Sequence, residues 1–485
     1  MSRPLRVAFI HPDLGIGGAE RLVVDAALGL QKLGHSVDIY TSYHDPNHCF
    51  EETRDGTLSV YHISPPLPRA LFGKLHILFA HLRQLHLTAH LLFSDTPKYD
   101  VYFVDQLSTC VPFLRSLGNT RVVFYCHFPD KLLANGAFVE GSNQIVKKGG
   151  LLKRLYRMPM DWLEEVTTRQ ADIILANSGF TARVFKAYFP SITQTPLIVY
   201  PGINISAYEA PVDHSDPDIV AISSSRPTLL SLNRFEGKKN AMLALEAFGL
   251  LKRKRPDLKD LRLVVAGGYD SRLDDNLKTL DTLISKATDL SLTYDIQASH
   301  DLLHQYPVRT DGLADVLFFL NFTTAQRTAF LTSPHSIALL YTPANEHFGI
   351  VPIEAMACGV PVLACNSGGP TESVLSSPPH AKSERTGWLE EPLPEKWLHA
   401  LEEIVDLSSE EREAVGARAK RRAREKFGME AMSRGLEDAL RDAVNMGRVE
   451  SRFDNFFGGT GGTVFFVLVG FLIAYLAAPF LLPTS

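Results

Sequence analysis

The chain has 485 residues and a formal net charge of -5, with 45% apolar and 21% charged residues. This apolar content predicts a core-forming protein of two or three domains, at about 150 residues per domain, and excludes an intrinsically disordered chain. The balance of 49 Lys and Arg against 54 Asp and Glu argues against a general nucleic-acid binder. Five cysteines without a C-x-x-C pair argue against a disulfide framework or structural zinc, and fit a reducing compartment.

The first half of the chain alternates short apolar runs with helical periodicity. Residues 20–32 have the apolar spacing of a helix, and five runs predict buried strands: 7–10, 36–40, 101–104, 122–125 and 173–176. Strands separated by helices are typical of parallel βαβ units. We therefore predict an α/β, doubly wound Rossmann-like domain over residues 1–205.

A second alternating series follows an interruption rich in Pro, Asp and Ser at residues 206–227, which predicts a linker. Residues 240–252 have helical spacing, and further strands are predicted at 228–232, 261–266, 316–320, 337–341 and 361–364. This series predicts a second Rossmann-like domain over 228–425, followed by a connecting tail over 426–460. In two such domains facing a cleft, ligands are expected at the carboxyl ends of the strands.

Two apolar segments raise the question of membrane contact. Residues 71–93 mix apolar side chains with several His and basic residues, which fits an interfacial amphipathic helix better than a membrane span, with a core helix of the first domain as the open alternative. The uncharged run 464–482 would extend about 28 Å as a helix, so we expect a transmembrane anchor over 461–483 rather than a buried helix. Arg448 and Arg452 precede this run, and the first apolar run is too short for a signal peptide, so the body is expected on the cytosolic side.

Two glycine-containing loops follow predicted strands. Gly17 and Gly18 open the first helix, where backbone N–H groups can approach an anion, although a tight structural turn explains them equally simply. Arg234 and Lys239 flank a turn after residues 228–232, where two cations can neutralise a diphosphate or form a surface charge cluster.

The most specific pattern is a pair of carboxylates, Glu346 and Glu354, after the strand predicted at 337–341. With a helix beginning near Pro352, Glu346 would precede the helix and Glu354 would lie in its first turn. Free N–H groups at that end can hold a phosphate, and carboxylates can accept hydrogen bonds from sugar hydroxyls.

The pair resembles the E-x7-E motif of retaining glycosyltransferases with the GT-B fold. The Gly17-Gly18-x-Glu20 loop, the two cations and the segment 368–374 occur where that family's pattern has them. The segment 125–130 and the tail narrow the resemblance to eukaryotic α-1,3/α-1,6-mannosyltransferases of the dolichol-linked oligosaccharide pathway, over essentially the full length. Asn240 departs from it, since relatives often have Gly there.

The resemblance implies roles for individual residues. Arg234 and Lys239 would bind the diphosphate of GDP-mannose, Glu346 the mannose and Glu354 the ribose, while His127 would face the donor sugar. The implied catalytic residues are thus Glu346, His127, Lys239 and Arg234, and the remaining donor-binding residues are Gly17, Gly18, Phe348, Gly349, Ile350, Val351 and Glu354. His335 is a weaker candidate. The resemblance implies neither a metal nor another cofactor.

The implied reaction transfers mannose with retention from GDP-mannose to a dolichyl-pyrophosphate-linked oligosaccharide, through an α-1,3 and then an α-1,6 bond. The implied location is the cytosolic face of the endoplasmic reticulum membrane, with its lipids and other mannosyltransferases of the pathway as candidate partners. Two alternatives remain at this point: a glycosyltransferase of the same fold with another donor or lipid acceptor, and a noncatalytic subunit of a membrane glycosylation complex.

Overall fold

The computed structural model describes residues 3–70, 75–133, 151–298 and 313–449. These form two compact units, the first comprising the described residues of 1–202 together with 429–449, and the second the described residues of 203–428. The anchor predicted over 461–483 lies outside the described residues. Within the described ranges, no helix is both long and apolar enough to cross a membrane.

The first unit is built on a parallel sheet of seven described strands in the order β3-β2-β1-β4-β5-β6-β7. The strands are β1 Arg6–His11, β2 Ser36–Thr41, β3 Ser59–His62, β4 Val101–Asp105, β5 Arg121–Cys126, β6 Ile173–Ala176 and β7 Leu197–Ile198. Five of them coincide with predicted strands. β3 and β7 were not predicted, because they are short edge strands whose side chains are largely exposed, so the sequence carries no buried apolar run.

Helices cover this sheet: α1 Gly18–Lys32, α2 His76–Phe93, α3 Val111–Ser116, α4 Asp130–Leu133, α5 Leu151–Thr168 and α6 Gly179–Tyr188. Helix α2 supports the core-helix interpretation for the described part of residues 71–93, since its polar residues His81, Arg83, Gln84, His86 and Thr88 are buried inside the unit. Arg83 Nη2 donates to the Ser42 carbonyl at 2.9 Å, and Gln84 Nε2 donates to the Leu107 carbonyl at 2.7 Å. Buried polar groups with internal partners belong to a core helix.

The second unit repeats this architecture, with a parallel sheet in the order β10-β11-β9-β8-β12-β13-β14. The strands are β8 Thr228–Leu232, β9 Arg262–Gly267, β10 Tyr294–Ala298, β11 Val316–Leu320, β12 Ser336–Tyr341, β13 Val362–Cys365 and β14 Gly387–Glu390. The helices are α7 Pro217–Val220, α8 Ala241–Lys254, α9 Asp274–Asp289, α10 Thr324–Thr332, α11 Ile350–Cys358, α12 Pro370–Ser373, α13 Pro394–Val405 and α14 Ser409–Phe427. The first sheet has the strand order of a doubly wound Rossmann-like domain, and the second differs from it by the insertion of β11 between β10 and β9.

The final described helix, α15 Met429–Asn445, belongs to the first unit and not to a connecting tail. Its buried residues Met432, Leu436 and Leu440 join the core formed with Val23 and Ala27 of α1. The helix has an apolar stripe with the spacing that a core requires, so the chain returns to its first unit after completing the second. The residues predicted as a linker, 206–227, are likewise part of the second unit and contain α7.

Candidate active site

In the second unit, the predicted cations and the first carboxylate follow adjacent strands. Arg234 and Lys239 follow β8, Glu346 follows β12, and β8 and β12 are neighbours in the sheet. Lys239 Nζ lies 2.6 Å from Glu346 Oε2, and Thr342 Oγ1 donates to the Lys239 carbonyl at 2.7 Å. Two loops that are distant in sequence are thereby joined by an ion pair and a hydrogen bond.

The Glu346 carboxyl is held in its charged form. Burial by itself would raise its pKa, but Lys239, His347 and the Tyr341 hydroxyl together outweigh burial and lower the pKa. The side chains of Lys239 and Glu346 retain 20% and 23% of their exposure, so both are accessible to a ligand. The pair therefore presents a cation and an anion side by side at the carboxyl edge of the sheet.

Two other residues after β8 are Arg234, whose side chain is largely exposed, and Asn240, whose backbone is left-handed. The Arg234 side chain is 67% exposed and only loosely paired, with Nη1 at 3.4 Å from Glu236 Oε1. Asn240 has a φ of 52°, the left-handed conformation that glycine adopts most easily and that Asn tolerates. The residue that departs from the family's pattern thus has a backbone conformation that glycine would also adopt easily.

The loop between Glu346 and α11 is fixed by close backbone packing. Gly368, with a φ of 69°, lies so near that an added Cβ would come within 2.3 Å of the Glu346 carbonyl oxygen. Gly369 N donates to that same carbonyl at 2.8 Å. The glycines of the 368–374 segment therefore act by supporting the loop that carries Glu346 and Phe348.

Helix α11 begins at Ile350, two residues earlier than predicted, so Glu354 lies in the second turn and not in the first. The reason is Gly349, whose φ of 89° lets the chain turn directly into the helix. No described side chain caps this helix. The backbone N–H groups at its start are thus placed to bind an anion. They belong to the region of the predicted donor-binding residues Phe348, Gly349, Ile350 and Val351.

Glu354 is a buried carboxylate with one saturated and one open oxygen. Its Oε1 accepts a hydrogen bond from Tyr208 Oη at 2.7 Å and forms an ion pair with Arg327 Nη1 at 2.9 Å. Its Oε2 is buried and has no partner among the described residues. A buried acceptor without a partner is costly, so this oxygen is suited to hydroxyl groups of a ligand. Tyr208 and Arg327 were not predicted from the sequence, because neither belongs to a recognisable motif.

In the first unit, Gly17 and Gly18 connect β1 to α1. Gly17 has an extended φ of -170°, which any residue can adopt, and no side chain of the described residues caps the helix. A Cβ added to Gly18 would meet nothing within 4 Å, so the loop is open at this point. At Gly17, by contrast, an added Cβ would meet the end of the Glu20 side chain, which would have to move. Neither glycine is required by its backbone conformation, and the absence of a side chain at Gly18 leaves the start of the helix open on that side.

His127 follows β5 and forms part of a buried cluster that sequence analysis missed. Its Nε2 lies 2.8 Å from Asp105 Oδ2, and His11 Nδ1 lies 2.5 Å from Asp105 Oδ1. His11 and Asp105 are the last residues of the neighbouring strands β1 and β4. The available signal was their position at strand ends that become adjacent once the sheet order is known.

His335, the weaker candidate, lies immediately before β12, whereas Glu346 follows that strand. A strand of this length separates its two ends by about 20 Å. The structure therefore places His335 at the amino ends of the strands of the second sheet, whereas the predicted donor site lies at their carboxyl ends.

Comparison with protein families and with known proteins agrees with this arrangement. Residues 16–207 match the model of Glycosyltransferase Family 4, and residues 213–422 match that of Glycosyl transferases group 1. Among solved structures, a sucrose-phosphate synthase from Thermosynechococcus elongatus is similar with a TM-score of 0.64 at 18% identity, covering 91% of this chain and all of that one. Anabaena HepE in complex with UDP and glucose has a TM-score of 0.58 at 16% identity, covering 90% of this chain and 99% of that one. These structures establish the fold.

Curated relatives identify the family. The α-1,3/1,6-mannosyltransferase ALG2 of Rhizomucor pusillus is 46% identical over 442 residues, 90% of this chain and 91% of that protein. ALG2 of Schizosaccharomyces pombe is 42% identical over 93% of this chain and 83% of that protein, and ALG2 of Saccharomyces cerevisiae is 39% identical over 90% and 85%. The chain is therefore a glycosyltransferase enzyme of the GT-B fold and belongs to the α-1,3/1,6-mannosyltransferase family.

Proposed function

We propose that the protein transfers mannose from GDP-mannose, with retention of configuration, to a dolichyl-pyrophosphate-linked oligosaccharide, forming first an α-1,3 and then an α-1,6 bond. The relatives are α-1,3/1,6-mannosyltransferases, which supports the mannosyl group and the two linkages. The donor nucleotide and the lipid acceptor are the ones that the family resemblance implies. The product would be a precursor in protein N-glycosylation.

The observation that carries the donor assignment is the pairing of Lys239 with Glu346 beside the uncapped start of α11. Arg234 and Lys239 supply positive charge for the donor diphosphate and the departing GDP, and the backbone N–H groups at the start of α11 supply hydrogen-bond donors. Glu346 would accept hydrogen bonds from the mannose, and the open Oε2 of Glu354 would accept from the ribose. We assign no metal or other cofactor to the reaction.

The proposed mechanism is attack by the acceptor on the same face of the sugar that the diphosphate leaves. The leaving phosphate would take the proton of the attacking hydroxyl, and Arg234 and Lys239 would stabilise the growing negative charge. His127 is proposed to contact the donor mannose. Trapping a covalent mannosyl-enzyme would contradict this mechanism, because same-face attack forms no such intermediate.

The location and the partners also belong to the proposal. Residues 461–483 would anchor the chain in the endoplasmic reticulum membrane, with both units on the cytosolic face. Membrane lipids and other mannosyltransferases of the pathway are candidate partners, and nucleic acid is not. Protease protection of microsomes, with tags at the two termini, tests the orientation: digestion of an amino-terminal tag in intact vesicles is expected.

The deciding experiment is mannosylation of a purified dolichyl-pyrophosphate-linked acceptor by the full-length protein, with linkage analysis of each product. We expect transfer from GDP-mannose, and α-1,3 before α-1,6 products. A panel of other nucleotide sugars and lipid acceptors accompanies it. Preferential use of another donor or acceptor would replace the proposed substrates, and transfer that survives Glu346→Ala unchanged would refute the site.

A further inference from the structure

One carboxylate and two imidazoles lie together at the carboxyl ends of three adjacent strands of the first sheet. Asp105 ends β4, His11 ends β1, and His127 follows β5 by one residue. Asp105 has no exposed surface and uses one oxygen for each ring, at 2.5 Å to His11 Nδ1 and 2.8 Å to His127 Nε2. The three residues are defined here as the His-Asp-His cluster.

The charges in the cluster favour an ionised carboxylate. Burial by itself would raise the pKa of Asp105, but the two imidazoles outweigh burial and lower the pKa. Burial by itself would lower the pKa of His11, but Asp105 outweighs burial, with smaller contributions from Glu20 and Asp13, and the pKa is raised. An ionised carboxylate only accepts hydrogen bonds, so each imidazole must donate through the nitrogen that faces Asp105.

This requirement fixes the protonation pattern of His127. Its Nε2 carries the proton donated to Asp105, so the neutral ring has its lone pair on Nδ1. Nδ1 has no hydrogen-bond partner among the described residues, and the side chain retains 21% of its exposure. His127 is therefore held by one nitrogen from inside the unit and offers the other one outwards.

His11 secures the carboxylate from its other side. Its ring is 1% exposed and occupies one oxygen of Asp105, which leaves only the second oxygen for His127. The backbone of the loop after His127 is also tied, since Asn177 Nδ2 donates to the His127 carbonyl at 2.9 Å. Both the ring and the main chain of His127 are thus fixed by groups that no ligand needs to contact.

We propose that Asp105 is a positioning residue for mannosyl transfer, which orients His127 and sets its tautomer so that Nδ1 meets a hydroxyl group of the donor sugar. The inference rests on the proposed function, because it takes His127 as the contact to the sugar. Asp105 itself, fully buried, touches no substrate. His11 supports it by keeping the carboxylate charged and in place.

Asp105→Asn is the informative change because it keeps the size of the side chain and alters its hydrogen bonding. An amide offers one acceptor and one donor group, whereas the two imidazoles both require an acceptor. One ring must then turn or shift its proton to the other nitrogen. We expect kcat for mannose transfer to fall by about tenfold to a hundredfold, as for loss of other groups that orient a functional histidine, with little change in KM for GDP-mannose.

The test is a double-mutant cycle in the full-length protein with Asp105→Asn, His127→Ala and the double variant, assayed for transfer from GDP-mannose. If Asp105 acts through His127, Asp105→Asn adds less than about a twofold loss in the His127→Ala background. Asp172→Asn is the matched control, since Asp172 is also buried but pairs with Arg115 and Arg121 at the other edge of the sheet. That variant is expected to lose stability and keep kcat.

The outcomes separate the inference from the proposed function. A folded Asp105→Asn variant with wild-type kcat, beside an impaired His127→Ala variant, would overturn the inference alone. Additive losses in the double variant would also overturn it, because they indicate a role independent of His127. Lack of transfer from GDP-mannose by the unaltered protein would overturn the proposed function and the inference with it.

A measurement on the unaltered protein covers the case in which Asp105→Asn does not fold. Solid-state nitrogen NMR of protein labelled with ¹⁵N-histidine, with the His127→Ala spectrum subtracted, reports which nitrogen of His127 is protonated. We expect the proton of the neutral ring on Nε2. A proton on Nδ1 would overturn the inference.

Discussion

The open oxygen of Glu354 leads to a prediction that separates ligand recognition from folding. In Glu354→Gln, the amide oxygen can still accept from Tyr208 and Arg327, whose donors lie 2.7 Å and 2.9 Å from Oε1. The amide nitrogen then replaces the buried Oε2, which has no partner among the described residues. A donor group thereby takes the place of the acceptor assigned to the ribose hydroxyls.

The expected size of the effect follows from the charge of the lost acceptor. A hydrogen bond to a charged group contributes about 1.5–3 kcal/mol, which corresponds to roughly a 10- to 150-fold rise in KM for GDP-mannose. The unfolding free energy should fall only moderately, because Tyr208 and Arg327 keep an acceptor oxygen although Arg327 loses its counter-charge. Glu354→Ala should destabilise the second unit more, by about 3–5 kcal/mol, since it removes both the counter-charge and the acceptor oxygen.

Initial rates at varied GDP-mannose concentration and urea unfolding curves measure the two effects separately. Glu395→Gln, on the exposed start of α13, is the control and should alter neither. A wild-type KM in Glu354→Gln would refute the role of Oε2 in donor binding. Equal losses of stability in Glu354→Gln and Glu354→Ala would refute the argument that Oε1 alone holds the internal contacts.

Three further changes test other parts of the structure. Lys239→Met should lower transfer at least about a hundredfold by removing the cation 2.6 Å from Glu346, whereas Lys238→Met, whose side chain is 71% exposed, should keep full activity in the same assay. Gly369→Ala should reduce the unfolding free energy by about 1–3 kcal/mol or more, because the added Cβ would lie 2.2 Å from the Phe348 carbonyl oxygen; Gly435→Ala, with ordinary contacts at 3.5 Å, should not. Burial lowers the pKa of His81 to about 4, so the folded state resists a proton that the unfolded state accepts. Stability should therefore fall by up to about 3 kcal/mol as the pH drops from 6.5 towards 4, and a shallower fall in His81→Gln, measured by urea unfolding, checks this sign.

The sequence by itself determined the fold class and much of the donor site. Buried parallel strands are continuous apolar runs, so the inner strands of both sheets were predictable, and Glu346 and Lys239 follow two of them directly. The E-x7-E spacing depends on one loop and one helix, which is local information. The start of that helix was misplaced because the left-handed Gly349 begins it earlier than the following Pro352 suggests.

Only the tertiary structure decided which distant residues share these sites. His11 and Asp105 are far apart in the sequence and meet because β1 and β4 pair in register, and Tyr208 and Arg327 reach Glu354 from two separate segments. The packing of α15 on α1 and the burial of the polar side chains of α2 are equally nonlocal. A chain segment specifies its own periodicity and turns, whereas the partners of a buried carboxylate depend on sheet order and register, which many segments fix together.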